Sequence, residues 1–140
     1  VVATDHAPHT LEEKAMPYAK CPSGAPLVQH SLEAMLEMMH DGIFTLEQVV
    51  EKMSHAPARL FNVKDRGFIR EGAFADLVLV DMDSPWTVSK DNLLYKCGWS
   101  PLEGQRFRAR VEKTWVNGRL VYSDGKVDRT SRGERLLFDR

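Results

Sequence analysis

Cysteine is scarce in this chain. Cys21 and Cys97 stand far apart, in no Cys-x-x-Cys pair and at no zinc-finger spacing. That argues against a disulfide-built scaffold or a cysteine-rich metal site; the reading is two free thiols, buried or half-buried, in a reducing compartment. No apolar run approaches the roughly 20 residues of a membrane-spanning helix. No block of like charge occurs either: 19 basic residues against 20 acidic ones leave a net charge of −1. A nucleic-acid groove or an anionic membrane surface is therefore not a natural partner. Internal repeats and low-complexity tracts are also missing. What remains is ordinary: 43% apolar and 28% charged residues, as in a globular domain with a buried core.

The informative stretch is the first one, Val1-Val2-Ala3-Thr4-Asp5-His6-Ala7-Pro8-His9. The β-branched run Val1–Thr4 predicts a buried strand, which ends in an aspartate and is stopped by Pro8. A carboxylate at the end of a buried parallel strand is where α/β barrels place catalytic groups, and His9 can turn back towards the same mouth. Residues 10–30 carry Pro17, Pro22, Ser23, Gly24 and Pro26 and predict a loop. At Ser23-Gly24 the backbone can come close to a ligand, though a plain turn is the simpler reading.

Helical periodicity follows. Leu32, Met35, Leu36 and Met39 predict a helix over 31–40, with Ser31 as N-cap and Gly42 ending it. Its methionines read as core, and His30 and His40 as structural. Thr45 and Gln48 form a capping box for a second helix with Leu46, Val49, Val50 and Met53 inward. An interruption at 54–57 is expected before a short third helix, 58–61. From about residue 64 the period becomes two. Residues 75–81 predict a strand apolar enough to be covered on both faces. Asp76 reads as a turn or hydrogen-bonding carboxylate. Arg106, Arg108 and Arg110 alternate, which on a strand puts three cations on one solvated face. Residues 98–104 form a loop anchored by Trp99, and Asn117-Gly118 predicts a hairpin. The charged tail from Asp128 is loosely held, with 136–138 able to dock.

The run Asp-His-Ala-Pro-His-Thr with Glu-Glu-Lys, then Pro22-Ser23-Gly24, "SHAPARLFNV" and "GAFADLVLVD", resembles the dihydroorotases of the amidohydrolase superfamily. The resemblance implies an α/β fold: the last strand, active-site loop and terminal helices of a (β/α)8 barrel over 1–63. Residues 64–140 would be the C-terminal share of a flanking β-sandwich. It implies reversible hydrolysis of dihydroorotate to N-carbamoyl-aspartate, in the cytoplasm. Asp5 would be both metal ligand and proton shuttle, and His9 would hold the substrate carboxylate beside the Ser23 and Gly24 backbone. His6 would support the site or pack.

A binuclear zinc centre is implied, its other ligands outside this chain, so this piece alone is expected to be inactive. Partners are then a small-molecule substrate, the missing N-terminal portion of the same enzyme and further copies in a homo-oligomer. Two rivals stand beside this reading. One is a hydantoinase or dihydropyrimidinase, which the stretch "KCPSGAPL" also resembles. The other is a non-catalytic scaffold homologue.

Overall fold

The apolar stripe of residues 32–39 closes the core. A computed structural model describes residues 1–139. In it, helix α2 (Ser31–His40) turns Met35 and Leu36 inward, where they meet Val49 of helix α3 (Leu46–Val50). Val2, Leu32, Met39, Phe44 and Met53 pack around them. A four-residue helix, α1 (Leu11–Lys14), precedes both, inside the stretch read as loop. Ser31 is not the N-cap of α2. It is already helical, and His30 caps the helix because a 3₁₀ turn (Val28–His30) feeds directly into it. The Thr45–Gln48 capping box forms as expected. No break follows it. A π turn (Glu51–His55) carries the chain straight into helix α4 (Ala56–Leu60), whose first turn accepts Pro57.

Strands begin after residue 76. β1 (Leu77–Asp81), β4 (Arg110–Val116), β5 (Arg119–Ser123) and β6 (Lys126–Val127) form an antiparallel sheet in the order β1-β4-β5-β6. Between β1 and β4 in sequence, β2 (Trp86–Thr87) pairs with β3 (Arg106–Phe107). Asn117 and Gly118 take φ of 52° and 76°, as a type I′ hairpin requires. The tail docks: Lys64 N–H reaches the Leu137 carbonyl and Asp139 N–H that of Asn62.

Three more expectations are corrected. Val1–Thr4 is in no ladder, because this chain offers it no neighbouring strand; what ties it down is Val2 N–H to the Lys52 carbonyl, 3.1 Å. β1 is not covered on both faces, since Leu77, Val78 and Leu79 are 38–49% exposed. The three alternating arginines do not share a face, because the strand breaks between Phe107 and Arg110. Arg108 turns to Glu37 and Asp41 on the α2 side, while Arg110 lies 5.9 Å from the Trp86 ring centroid. Asp76 is structural as read: it takes the Asn117 N–H at 2.8 Å and pairs with buried Arg66.

Gly67 and Gly72 both have positive φ, but a Cβ on Gly67 would lie 2.4 Å from Ala58 Cβ and 2.9 Å from the Ser54 carbonyl, while Gly72 has open space. Gly72→Ala should cost about 1 kcal/mol of backbone strain. Gly67→Ala should cost about 1–3 kcal/mol more through overpacking, read as the difference between two denaturant midpoints.

His30 is fully buried among Trp86, Tyr95 and Phe107, and burial pushes its pKa below the usual 6.5. The unfolded chain therefore binds a proton that the folded one refuses. Stability from this group is present above pH 6.5 and is lost as pH falls through that range. Denaturation curves for His30→Leu, set beside the parent, should show a shallower loss on acidification. Equal slopes would place the acid sensitivity elsewhere.

Candidate active site

Two backbone segments close on each other at the start of the chain. Ala7 N–H donates to the Ala25 carbonyl at 3.1 Å, and His6 and Ala25 form a parallel bridge. The His6 Nδ1 accepts the Leu27 N–H at 3.1 Å and lies 3.4 Å from that of Val28. An Nδ1 that accepts leaves the imidazole proton on Nε2. His6 thus ties the 3₁₀ turn before α2 to the stretch that carries Asp5, which is the supporting role read for it. Gly24 makes the approach possible. At φ +88° its missing Cβ would stand 2.5 Å from Ala7 Cβ and 3.8 Å from the Asp5 carbonyl oxygen. No other residue fits there without moving the clasp.

Lys14, in the last turn of α1, locks the loop from the other side. Its ammonium donates to the Pro22 carbonyl at 2.7 Å and to that of Gly24 at 3.1 Å. The N–H groups of Ser23 and Gly24, by contrast, have no acceptor among the described residues. They are exposed donors on a pinned backbone.

Asp5 is exposed and takes φ +46°, an uncommon conformation for a residue with a Cβ. Its carboxylate has no hydrogen-bond partner among the described residues. His9 is different: its Nδ1 sits 3.4 Å from Glu13 Oε2, and the same oxygen takes the Thr10 N–H at 2.8 Å in the capping box of α1. The helix cap therefore also orients the imidazole. The His9 carbonyl accepts the indole N–H of Trp99 at 2.7 Å. Asp5 and His9 lie on one of the two clasped segments, Ser23 and Gly24 on the other.

The donor set fits one ligand of a zinc centre and no more. Asp5 offers a free carboxylate, but no group of three or more His, Cys, Asp or Glu able to hold a metal exists among the described residues. Nor does the site lie in a deep cavity. An open cleft of about 1140 Å³, walled by His6, Val28, Trp86, Tyr95, Arg110 and Tyr122 among others, lies against the sheet; it touches none of the four site residues, only their neighbours His6 and Pro8. Both cysteines are free and half-buried. No helix among the described residues is long and apolar enough to cross a membrane.

Sequence reading noted Lys14 within a motif and Trp99 as a loop anchor, but missed the site contacts that each makes. The lysine had a signal, since it ends the capped turn that begins at Thr10; the tryptophan reaches His9 from far along the chain and had none. Gly24→Ala should break the Ala7–Ala25 hydrogen bond and speed amide exchange at Ala7 about tenfold, the loss of a bond worth about 1 kcal/mol plus strain. Adding Ala7→Gly should recover part of that protection by removing the Cβ it strikes. Exchange unaltered in Gly24→Ala would mean that the clasp does not depend on this glycine.

Known proteins resemble the chain over most of its length. Residues 30–122 match the model of the amidohydrolase family. The dihydroorotase of Pyrococcus furiosus is 38% identical over 137 residues, covering 98% of this chain and 32% of that protein. The multifunctional protein pyr1-3 of Dictyostelium discoideum is 40% identical over 127 residues, 91% of this chain and 5% of that protein. Among solved structures, a D-hydantoinase from Bacillus sp. AR9 superimposes with a TM-score of 0.80 at 26% identity, over 89% of this chain and 28% of that one. The chain spans about a third of the length of the P. furiosus enzyme. Its fold is the mixed α/β segment expected from the sequence, part of the barrel and flanking strands that such enzymes share. With two thirds of its residues inside the family's own model, the chain belongs to the amidohydrolase family.

Proposed function

We propose that this chain supplies one wall of a dihydroorotase active site, for the reversible hydrolysis of dihydroorotate to N-carbamoyl-aspartate in pyrimidine biosynthesis. The observation that carries it is the clasp. A free carboxylate, an oriented imidazole and two unused N–H donors stand on one pinned backbone, in a chain 38% identical to a dihydroorotase over nearly its whole length. Residues 1–63 would be the last barrel strand, its loop and the terminal helices, and 64–140 part of the β-sandwich.

The chemistry asks for three things. Water must lose a proton as it attacks the ring carbonyl, and Asp5 is the base that takes it and returns it to the leaving nitrogen. The substrate ring must be held in place, and the Ser23 and Gly24 N–H groups can donate to its oxygens. The substrate carboxylate needs a hydrogen-bond donor, and the His9 imidazole, with Nδ1 3.4 Å from Glu13 Oε2, is that group. A zinc pair, with Asp5 as one ligand, would add Lewis-acid polarisation of the carbonyl. The other ligands would come from further polypeptide of the same enzyme, so this chain alone should not turn over. The enzyme would work in the cytoplasm as a homo-oligomer.

His9 separates this reading from a hydantoinase, because hydantoins and dihydropyrimidines carry no carboxylate for an imidazole to hold. In the zinc-loaded polypeptide of the relatives' full length, Asp5→Asn should lower kcat for dihydroorotate about 10²- to 10⁴-fold. His9→Ala should lower kcat/KM about 10- to 200-fold, the worth of one hydrogen bond to a charged group. Steady-state assays on dihydroorotate and on an uncharged cyclic amide decide. Loss on both substrates alike, or on neither, would remove the assignment of His9 and favour the hydantoinase.

A further inference from the structure

A loop of the β portion reaches over the clasp and fixes it at three points. Gln29, just before α2, uses its side chain on that loop: Nε2 donates to the Asn92 carbonyl at 2.8 Å and Oε1 takes the Leu94 N–H at 2.7 Å. The Tyr95 hydroxyl accepts the Gln29 N–H at 2.9 Å, and its ring stands 5.4 Å from that of His6. A turn closed by Gly98 N–H on the Tyr95 carbonyl, with Gly98 at φ +70°, then swings the chain round. It delivers the indole N–H of Trp99 onto the His9 carbonyl at 2.7 Å. Gln29 and Tyr95 fix where the loop lies; Trp99 is its one direct hydrogen bond to a residue that the proposed reaction uses.

We infer that Trp99 is a positioning residue for His9, setting from the β portion the place at which the imidazole meets the substrate carboxylate. The inference rests on the dihydroorotase reading. The bond is to the backbone, so it fixes the His9 Cα and leaves the ring to Glu13. Two residues thus act on His9 from different directions: Glu13, from α1, meets the imidazole and the Thr10 N–H of the following peptide, and Trp99, from the β portion, holds that peptide's carbonyl. The His9 peptide has need of an anchor. Its N–H donates to the carbonyl of Ala7 only two residues back, 2.9 Å away, and Pro8 between them has no N–H to give. Without Trp99 this stretch between the clasp and α1 is held only by bonds within a few residues, that one and the Thr10 N–H on Glu13 Oε2 at 2.8 Å. A Trp N–H in a half-buried place finds an acceptor as a matter of course. Here the acceptor it finds is the one peptide between the clasp and the first helix.

The test is a double-mutant cycle in the full-length, zinc-loaded enzyme, with dihydroorotate as substrate. Trp99→Phe removes the donor. Should that variant not fold, 3-benzothienylalanine at position 99 keeps the ring shape and lacks only the N–H. KM should rise about fivefold, the usual effect of one neutral hydrogen bond, with kcat changed less than twofold. The same replacement in a His9→Ala background should change nothing further, since the residue it positions is gone. A raised KM that persists in the His9→Ala background, or an unchanged KM in the single variant, overturns the inference while the dihydroorotase reading stands. If His9→Ala itself leaves dihydroorotate turnover intact, the reading fails and the inference goes with it.

Discussion

The position of every proposed catalytic group depends on one steric constraint, the contact between Gly24 and Ala7. The missing Cβ of Gly24 would stand 2.5 Å from that of Ala7, so the two segments approach as closely as polypeptide allows. Because they do, Ala7 can donate to Ala25 and His6 can take the Leu27 N–H. Asp5 and His9 lie on either side of those two residues. Their place relative to the exposed donors of 23–24 follows from the clasp, not from interactions of their own side chains. Lys14 completes it by satisfying two carbonyls and leaving the N–H groups free.

Magnitudes decide what holds the clasp to the rest. The most visible link between the helices and the strands is Arg108, which meets both Glu37 and Asp41, yet its side chain is 44% exposed. A pair that open is worth about 0–1 kcal/mol. A fully buried leucine is worth about 1.5–3 kcal/mol, and Leu36 is one of a cluster with Met35, Val49 and Ala109. Ala109 comes from just before β4, and Val80 and Met82 pack against the same cluster from the end of β1. Apolar contact joins the two halves, then, and the arginine fixes their register. The loop of Asn92 to Trp99 hangs from that joined body, which is why it can reach His9 at all.

Much of this was legible in the sequence, for reasons that differ by element. The α2 stripe, the Thr45–Gln48 box and the Asn117-Gly118 turn are local devices. Each declares itself within a few residues, and each forms as read. The strand expected at Val1–Thr4 failed because a strand is a relation between two segments, and the β-branched run specifies only one. The break expected after Ser54 failed for a related reason: a proline tolerated in a first helical turn can be joined to the preceding helix by a π turn. The four proposed site residues were carried over from a family resemblance. The contacts that hold them, Lys14 to Gly24 and above all Trp99 to His9, are single hydrogen bonds without period or spacing. Only the folded chain brings them together.

The conformation of Asp5 bears on its role in a separate way. Three aspartates have positive φ: Asp5, Asp65 and Asp124. The second pairs its carboxylate with Arg70, and the third takes the Ser123 hydroxyl, so each offsets its backbone strain locally, as short polar side chains in turns do. Asp5 has no such partner among the described residues, though it bears the same strain, of order 1–3 kcal/mol. A fold keeps an uncompensated strain where surrounding structure over-determines it, and here the clasp does so from Ala7 onward. What is gained is a carboxylate on a constrained backbone with both oxygens unused among the described residues. For a turn that arrangement has no purpose. For a group that must accept a proton and bind a cation it is the requirement, and the strain at residue 5 supports the assignment of Asp5 independently of any resemblance.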